Sequence, residues 1–270
     1  MRSTGLELSG AWNFRDVAEE TGIAPGRFFR SCELSGLDGG GRNALSHFGI
    51  TDVADLRSLK EVERRGPGQV PDGVAVHLLP FHELATGAAA EGAEAPHEQT
   101  FEKMMTDKPA DEEVAAAAGR FMVEEYRRFP TLPGAHLALR QVISMLADSR
   151  PVIAHCFAGK DRTGFTVAVM LGAVGVPRDA ILADFLRSND AVPQLRDSIL
   201  ETIRTRAGET AEVITFAEAR LTEEVLGVRE EYLHAALGVV DAEYGSLVNY
   251  LHTIGVTADQ LTRLRGVLVG

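Results

Sequence analysis

Two cysteines, one tryptophan and an aromatic content of 6% are all that 270 residues supply of these types, and the shortages exclude several classes. Two thiols, Cys32 and Cys156, cannot staple a disulfide scaffold, which points to a reducing compartment or a reactive thiol. Positive charge is scarce as well: 27 Lys and Arg face 39 Asp and Glu, for a net charge of -12. Such a chain has no overall positive field to gather polyphosphate backbones, so no nucleic acid is expected as a partner and any anion site must be local. No apolar run approaches the roughly 20 residues of a membrane span, so no transmembrane segment is expected. The first residues, MRSTGLELSGAWNFRD, lack the apolar core of a signal peptide. A cytoplasmic location follows as the expectation, with export by a route that reads no such signal left open.

What the chain does have is 45% hydrophobic residues at this length, enough for a sizeable core. The first eighty residues alternate short β-rich runs (GRFFRS, ITDVADLRS, VAVHLLP) with turn chemistry and a helical stretch, NALSHFG, in βαβ-like order. Residues 84–111 are small and acidic with little periodicity and read as a mobile loop. Two amphipathic helices are expected near 111–128 and 134–148, followed by the strand PVIAHC and a helix apolar on nearly every side, TGFTVAVMLGAVGV, ended by Gly175 and Pro177. RDAILADFLRSN reads as a helix, and DSILETIRTRA and TAEVITFAEARL as long helical stretches with more apolar surface than one packed face requires. The C-terminal part is helical again, no repeat or linker marks a boundary, and a single α/β domain over 1–270 is the expectation.

The chemistry concentrates in HCFAGKDRTG, residues 155–164. A strand, a tight Gly-containing turn and a helix N-terminus aim unpaired backbone N–H groups into one concavity, where the helix dipole also favours negative charge. Cys156 stands at the entrance to this cradle, and a thiol beside a helix N-terminus and a cation can ionise with a pKa on the order of 3.5–7.5. Arg162, six positions on, is far enough round the loop to return over the cradle and grip two phosphate oxygens with its planar fork. Phe157, Ala158, Gly159, Lys160, Asp161, Arg162 and Thr163 are therefore the candidate phosphate-binding residues. Thr163 is placed to donate its hydroxyl to the sulfur as a leaving group, while Gly159 and Gly164 permit backbone shapes and close approaches that a Cβ would hinder. A Walker reading fails because Asp161 follows Gly159-Lys160 and the upstream glycine is absent. A zinc reading fails for want of a second cysteine near His155.

HCFAGKDRTG resembles the phosphate-binding loop of the cysteine-dependent protein-tyrosine phosphatases, in the bacterial branch whose loop reads HCxxGKDRTG. NFRD at 13–16, FFRSCELS at 28–35, GITDVADLRS at 49–58, HLLPF at 77–81, DFLRSNDAVPQLR at 184–196, VLGVREEYL at 225–233 and YGSL at 244–247 extend the similarity over nearly the whole length. The resemblance implies a protein-tyrosine-phosphatase-like fold, a central mostly parallel sheet flanked by helices with a helical lid at about 198–238. It also implies activity on phosphotyrosine, with phosphoserine, phosphothreonine and phosphoinositides as further substrates. Two departures stand out. A member of the branch carries an aspartate after HLLPF-x where this chain has Glu83, and Ser-Ser where this chain has Ser31-Cys32.

The expected reaction has two steps: Cys156 attacks phosphorus in line to give a phosphocysteine, and water hydrolyses it, while Arg162 and the loop amides stabilise the equatorial oxygens. No cofactor and no metal are required. Asp161 is the first candidate for the general acid, set against a role in orienting Arg162 or capping the helix; Glu83 is the second, set against a solvated surface carboxylate. Lys160 reads as a charge at the pocket mouth that either widens specificity toward inositol phosphates or tunes the thiolate. His155 reads as a brace beneath the loop, and Phe157 as facing either the substrate ring or the interior. Arg15 and Asp16, Asp55 and Arg57, and Asp184 with Arg187 and Asn189 read as pairs that brace the loop. Cys32 is either a small buried residue or, from its place in the family beside the active site, a disulfide partner for Cys156. Two alternatives stay open beside phosphorylated proteins as substrates: a phosphoinositide phosphatase, and an inactive module that reads phosphate without turning it over.

Overall fold

The computed structural model describes residues 7–82, 111–205, 215, 218 and 220–270, with 111–113 given by backbone alone. Its centre is a five-stranded sheet in the order β1-β2-β5-β3-β4: β1 (Arg15–Asp16), β2 (Phe28–Ser31), β5 (Val152–His155), β3 (Asp52–Asp55) and β4 (Ala75–Leu78). Only β1 pairs antiparallel; the other four strands run parallel. Parallel strands need crossovers, and helices supply them: α1 (Ala18–Thr21), α2 (Gly39–His47), α3 (Leu59–Arg65), α4 (Asp111–Arg128) and α5 (Pro133–Ala147) precede β5. After it come α6 (Asp161–Val174), α7 (Arg178–Leu186), α8 (Val192–Thr205), α9 (Glu223–Leu226), α10 (Glu230–Tyr244), α11 (Leu247–Thr253) and α12 (Ala258–Leu268).

The two faces of the sheet follow the period of two along each strand. Phe28, Ala54, Val152 and Ala154 join the large core with α4 to α7 and α10 to α12. Phe29, Val53 and Ile153 face the other way, onto Leu34, Leu37 and Leu45 around α2. Because the four parallel strands share a direction, their C-terminal ends line one edge, which is where open α/β sheets place their ligands.

The expected α/β class and mostly parallel sheet are present, and the helices expected at 111–128 and 134–148 lie at Asp111–Arg128 and Pro133–Ala147. Two boundaries differ from expectation. Strand β5 ends at His155, one residue before the cysteine, and α6 begins at Asp161, so Asp161, Arg162 and Thr163 occupy a first helical turn where the sequence suggested a loop. α6 ends as expected, on Gly175 at φ 86. Glu83 and nearly all of 84–111 lie outside the described residues, as does most of TAEVITFAEARL. Among the described residues no helix is long and apolar enough to cross a membrane.

Candidate active site

The loop from Cys156 to Lys160 is held open by its own carbonyls. Phe157 O accepts from Glu33 N at 3.0 Å, Ala158 O from Asn13 Nδ2 at 3.0 Å and Gly159 O from Arg30 Nη2 at 2.7 Å. In a trans peptide the C=O of one residue and the N–H of the next point in opposite directions, and among the described residues no peptide bond is cis. Three consecutive carbonyls drawn outward therefore turn the N–H groups of Ala158, Gly159 and Lys160 to the inner side, beside the first turn of α6. Gly159 makes the turn at φ 67, and a Cβ there would stand 2.1 Å from Ser31 O. At Gly164 a Cβ would meet the Phe185 ring at 2.8 Å. Both glycines are required by the close approaches the sequence suggested.

Arg162 is buried, and its Nη1 and Nη2 donate to Glu61 Oε2 and Oε1 at 2.6 and 2.8 Å, with Leu56 O 3.3 Å from Nη1. Burial works against the charge, but the paired Glu61 carboxylate and the neighbouring Cys156 and Asp161 outweigh it and raise the guanidinium pKa. Glu61 is itself fixed by a capping box with Ser58 at the start of α3. Sequence reasoning missed Glu61; the Ser-x-x-Glu pattern of SLKE (58–61) announces the helix start but not that its carboxylate reaches across the sheet edge.

Asp161 is buried, accepts from Tyr126 Oη at 2.9 Å and lies 3.6 Å from Lys160 Nζ. The phenol donates and the carboxylate accepts, so burial first and Asp161 next raise the Tyr126 pKa. Lys160 is not at a pocket mouth. Its Nζ donates to Val225 O at 2.5 Å and Gly227 O at 3.0 Å, and burial lowers its pKa. Over the loop, Phe157 and Ala158 pack with Leu195 and Leu200 of α8 and with Leu221 and Leu226. Phe157 thus faces this apolar cover, with the Arg65 guanidinium 3.9 Å above its ring. The Thr163 hydroxyl is buried and makes no hydrogen bond among the described residues.

The bracing residues divide. Asp184 Oδ1 accepts from Arg15 Nε at 2.8 Å and its Oδ2 from Arg30 Nη1 at 2.5 Å, and Arg30 reaches the Gly159 carbonyl, so the pair does brace the loop, through an arginine that sequence reasoning missed. Burial would raise the Asp184 pKa, but the two arginines outweigh it and hold it below the usual range. Asp55 accepts from Arg57 and lies 3.7 Å from His155 Nδ1. His155 Nδ1 is 3.2 Å from Cys156 O, and burial lowers its pKa, leaving a neutral brace under the cysteine. Asp16 instead accepts from Ala18 N and Gly26 N in a turn, and Arg187 pairs with Glu19 and Glu20 near the surface; neither touches the loop. Asn189 bonds both backbone groups of Val228, beside the carbonyls that Lys160 holds. Asn13, the first residue of NFRD, takes φ 55 and ties Ala158 to Arg15, a part that its sequence context does not announce.

A buried cysteine, a cradle of inward amides and an arginine at the first turn of the following helix are what transfer of a phosphoryl group to sulfur needs. The model of the Tyrosine phosphatase family matches residues 6–270. The chain belongs to the tyrosine phosphatase family. It is 55% identical, over 98% of its length and 99% of the relative's, to the triple specificity protein phosphatase PtpB of Mycobacterium tuberculosis. A Cupriavidus necator protein provisionally described as a tyrosine-protein phosphatase is 30% identical over 88% of this chain and 80% of its own. A Nostoc commune tyrosine-protein phosphatase is 26% identical over 91% and 75%. As a member of this family the chain is a protein-tyrosine phosphatase, a phosphoric monoester hydrolase, and its fold is the family's α/β fold.

Proposed function

We propose that catalysis runs through Cys156 and Arg162, that Asp161 is the general acid, and that the substrates extend beyond phosphotyrosine to phosphoserine, phosphothreonine and phosphoinositides. The observation that carries the first part is the set of outward-held carbonyls at Phe157, Ala158 and Gly159, which supports an anion cradle between the cysteine and the arginine. Cys156 Sγ attacks phosphorus, and the inward amides and Arg162 take the charge on the non-bridging oxygens. Glu61 holds two of the arginine's nitrogens, so an entering phosphoryl group takes the guanidinium along its Nε edge or displaces one carboxylate contact. Asp161 gives its proton to the leaving oxygen in the first step and takes one from water in the second. In favour of Asp161 is its place in the first turn of α6, beside Arg162; among the described residues no hydrogen bond from a backbone N–H commits it to capping. The breadth of substrates is supported by the triple specificity in the name of the M. tuberculosis relative.

The described part of the segment around 198–238 acts as a lid, the reading supported by the packing of Leu200, Leu221 and Leu226 on Phe157 and Ala158. Lys160 fastens that cover to the loop through the Val225 and Gly227 carbonyls.

The test is phosphate release from a matched panel of phosphotyrosine, phosphoserine and phosphothreonine peptides and mono-phosphoinositides, for wild type, Cys156→Ser and Asp161→Asn, in a metal chelator. Turnover lost in Cys156→Ser is the expected result, and the order of rates fixes the preferred class. In Asp161→Asn, aryl phosphates with good leaving groups should be spared relative to alkyl phosphates; equal loss on both would remove Asp161 as the acid. Binding of the panel without turnover by wild type would favour the inactive phosphate-reading module.

A further inference from the structure

His82 lies four residues beyond β4, at the same sheet edge as the loop. Its ring packs edge-on against Phe81 and Phe129, with centroids 5.6 and 5.8 Å away. Both ring nitrogens are buried, and among the described residues neither has a hydrogen-bond partner. An imidazole among phenylalanines with two unpaired nitrogens costs stability that a phenylalanine or leucine would not cost. The charged groups that face it are Arg162, Glu61 and Arg128. Burial first, and the Arg162 charge next, press its pKa down to about 3. At neutral pH it therefore carries one N–H and one lone pair and no charge.

A second unpaired atom belongs to the same neighbourhood: among the described residues Arg162 Nε is also buried without a partner, while Nη1 and Nη2 are taken by Glu61. A guanidinium grips phosphate through two parallel N–H groups, and the edge containing Nε is the one left open. A phosphoryl group seated there would satisfy the Nε donor and bring an anionic oxygen toward the imidazole. We propose that His82 is a further substrate-contacting residue of this site, whose imidazole N–H donates to a non-bridging oxygen of the phosphoryl group that Arg162 holds. This rests on reading the cradle as the phosphatase site, and it assigns to His82 a role that no motif in the sequence announces. The phosphate monoester dianion is the ligand class, and the donor adds no second full positive charge to the site.

The test is calorimetric titration of inorganic phosphate, the reaction product, into wild type, His82→Phe and His82→Asn, alongside the melting temperature of each without ligand. His82→Phe should weaken phosphate about tenfold, the order of one hydrogen bond to a charged group, while melting no lower than wild type because two unpaired nitrogens are gone. His82→Asn, which keeps an N–H donor, should recover most of the affinity. Phosphate bound equally well by wild type and His82→Phe would overturn the proposal. So would a His82→Phe protein that melts lower or does not fold, since an apolar ring is required to be tolerated there. A wild type that binds no phosphate is a separate result and strikes the phosphatase site itself.

Discussion

At the scale of single residues the site is a set of buried charges whose partners decide their use. Arg162 combines a fixed position with a fixed charge: Glu61 holds it by two nitrogens, and Glu61 is itself held by the α3 capping box. Removing the carboxylate strands a buried guanidinium, so Glu61→Ala is expected to cost about 3–5 kcal/mol of stability, read by urea unfolding. Arg162→Lys keeps a charge for Glu61 but lacks the planar fork. It is expected to fold and to lose on the order of 10²–10³ in kcat on an aryl phosphate. Asp184 sets the acid limit. Its pKa is depressed in the folded protein, so its contribution is fully present above the unfolded value of about 3.9 and is lost as pH falls through the lower folded value. Asp55 shifts in the same direction. Unfolding followed from pH 6 downward, by roughly half-unit steps, should show Asp184→Asn less stable than wild type near neutrality and less sensitive to acid below about pH 4; parallel curves would contradict this.

At the scale of elements, register matters more than residue type. β2 and β5 pair Ser31 with His155, and Glu33 N still reaches Phe157 O two residues on. Cys32 and Cys156 therefore stand side by side at the ends of neighbouring strands, with Cα atoms about 5 Å apart, inside the roughly 4.4–6.8 Å that a disulfide spans. Burial raises the Cys32 pKa, which keeps it an unreactive thiol until its neighbour is oxidised. Peroxide would convert Cys156 to a sulfenic acid, the thiol proton leaving with the other peroxide oxygen as water; the Cys32 thiol would then displace water to form the disulfide. Mild peroxide followed by peptide mass spectrometry should give a Cys32 to Cys156 cross-link, reversed by a dithiol. Sulfinic Cys156 with no cross-link would refute it. The sequence made this pairing thinkable only through resemblance, because nothing local to FFRSCELS says which strand lies beside it. The same limit explains Glu61, 101 residues from Arg162, and Arg30, 129 from Gly159. Both are contacts across strand or helix boundaries that no contiguous motif records. HCFAGKDRTG was legible as a candidate site for the opposite reason, since one strand, one turn and one helix start place cysteine, amides and arginine together through local geometry alone.

At the scale of the whole molecule the proposed anion site is local and its loop is covered. The net charge of -12 opposes long-range capture of phosphate; Cys156, Lys160, Asp161 and Arg162 are all buried, and α8 with Leu221 and Leu226 packs over the Phe157 and Ala158 part of the loop. On the proposed lid reading, substrate enters when that cover parts from the loop, and Lys160 bonds the loop to the Val225 and Gly227 carbonyls. Lys160→Met is expected to speed amide hydrogen exchange through α8 and α9 while leaving the sheet strands protected; unchanged exchange there would remove Lys160 as the fastening. The apolar residues of DSILETIRTRA suggest such a cover and Leu200 packs with Phe157 and Ala158, whereas the lysine's contact with it was not legible, because its partners are backbone carbonyls that side-chain chemistry cannot announce.

The most direct test of the account is the state of Cys156 during turnover. Wild-type protein mixed with an excess of phosphotyrosine peptide, quenched in acid within the first turnovers and digested, should show a phosphoryl group on the peptide that carries Cys156, and Cys156→Ser should show neither that adduct nor phosphate release. Sustained phosphate release with Cys156 unmodified, or retained in Cys156→Ser, would contradict a phosphocysteine mechanism and, with it, the role of the whole cradle.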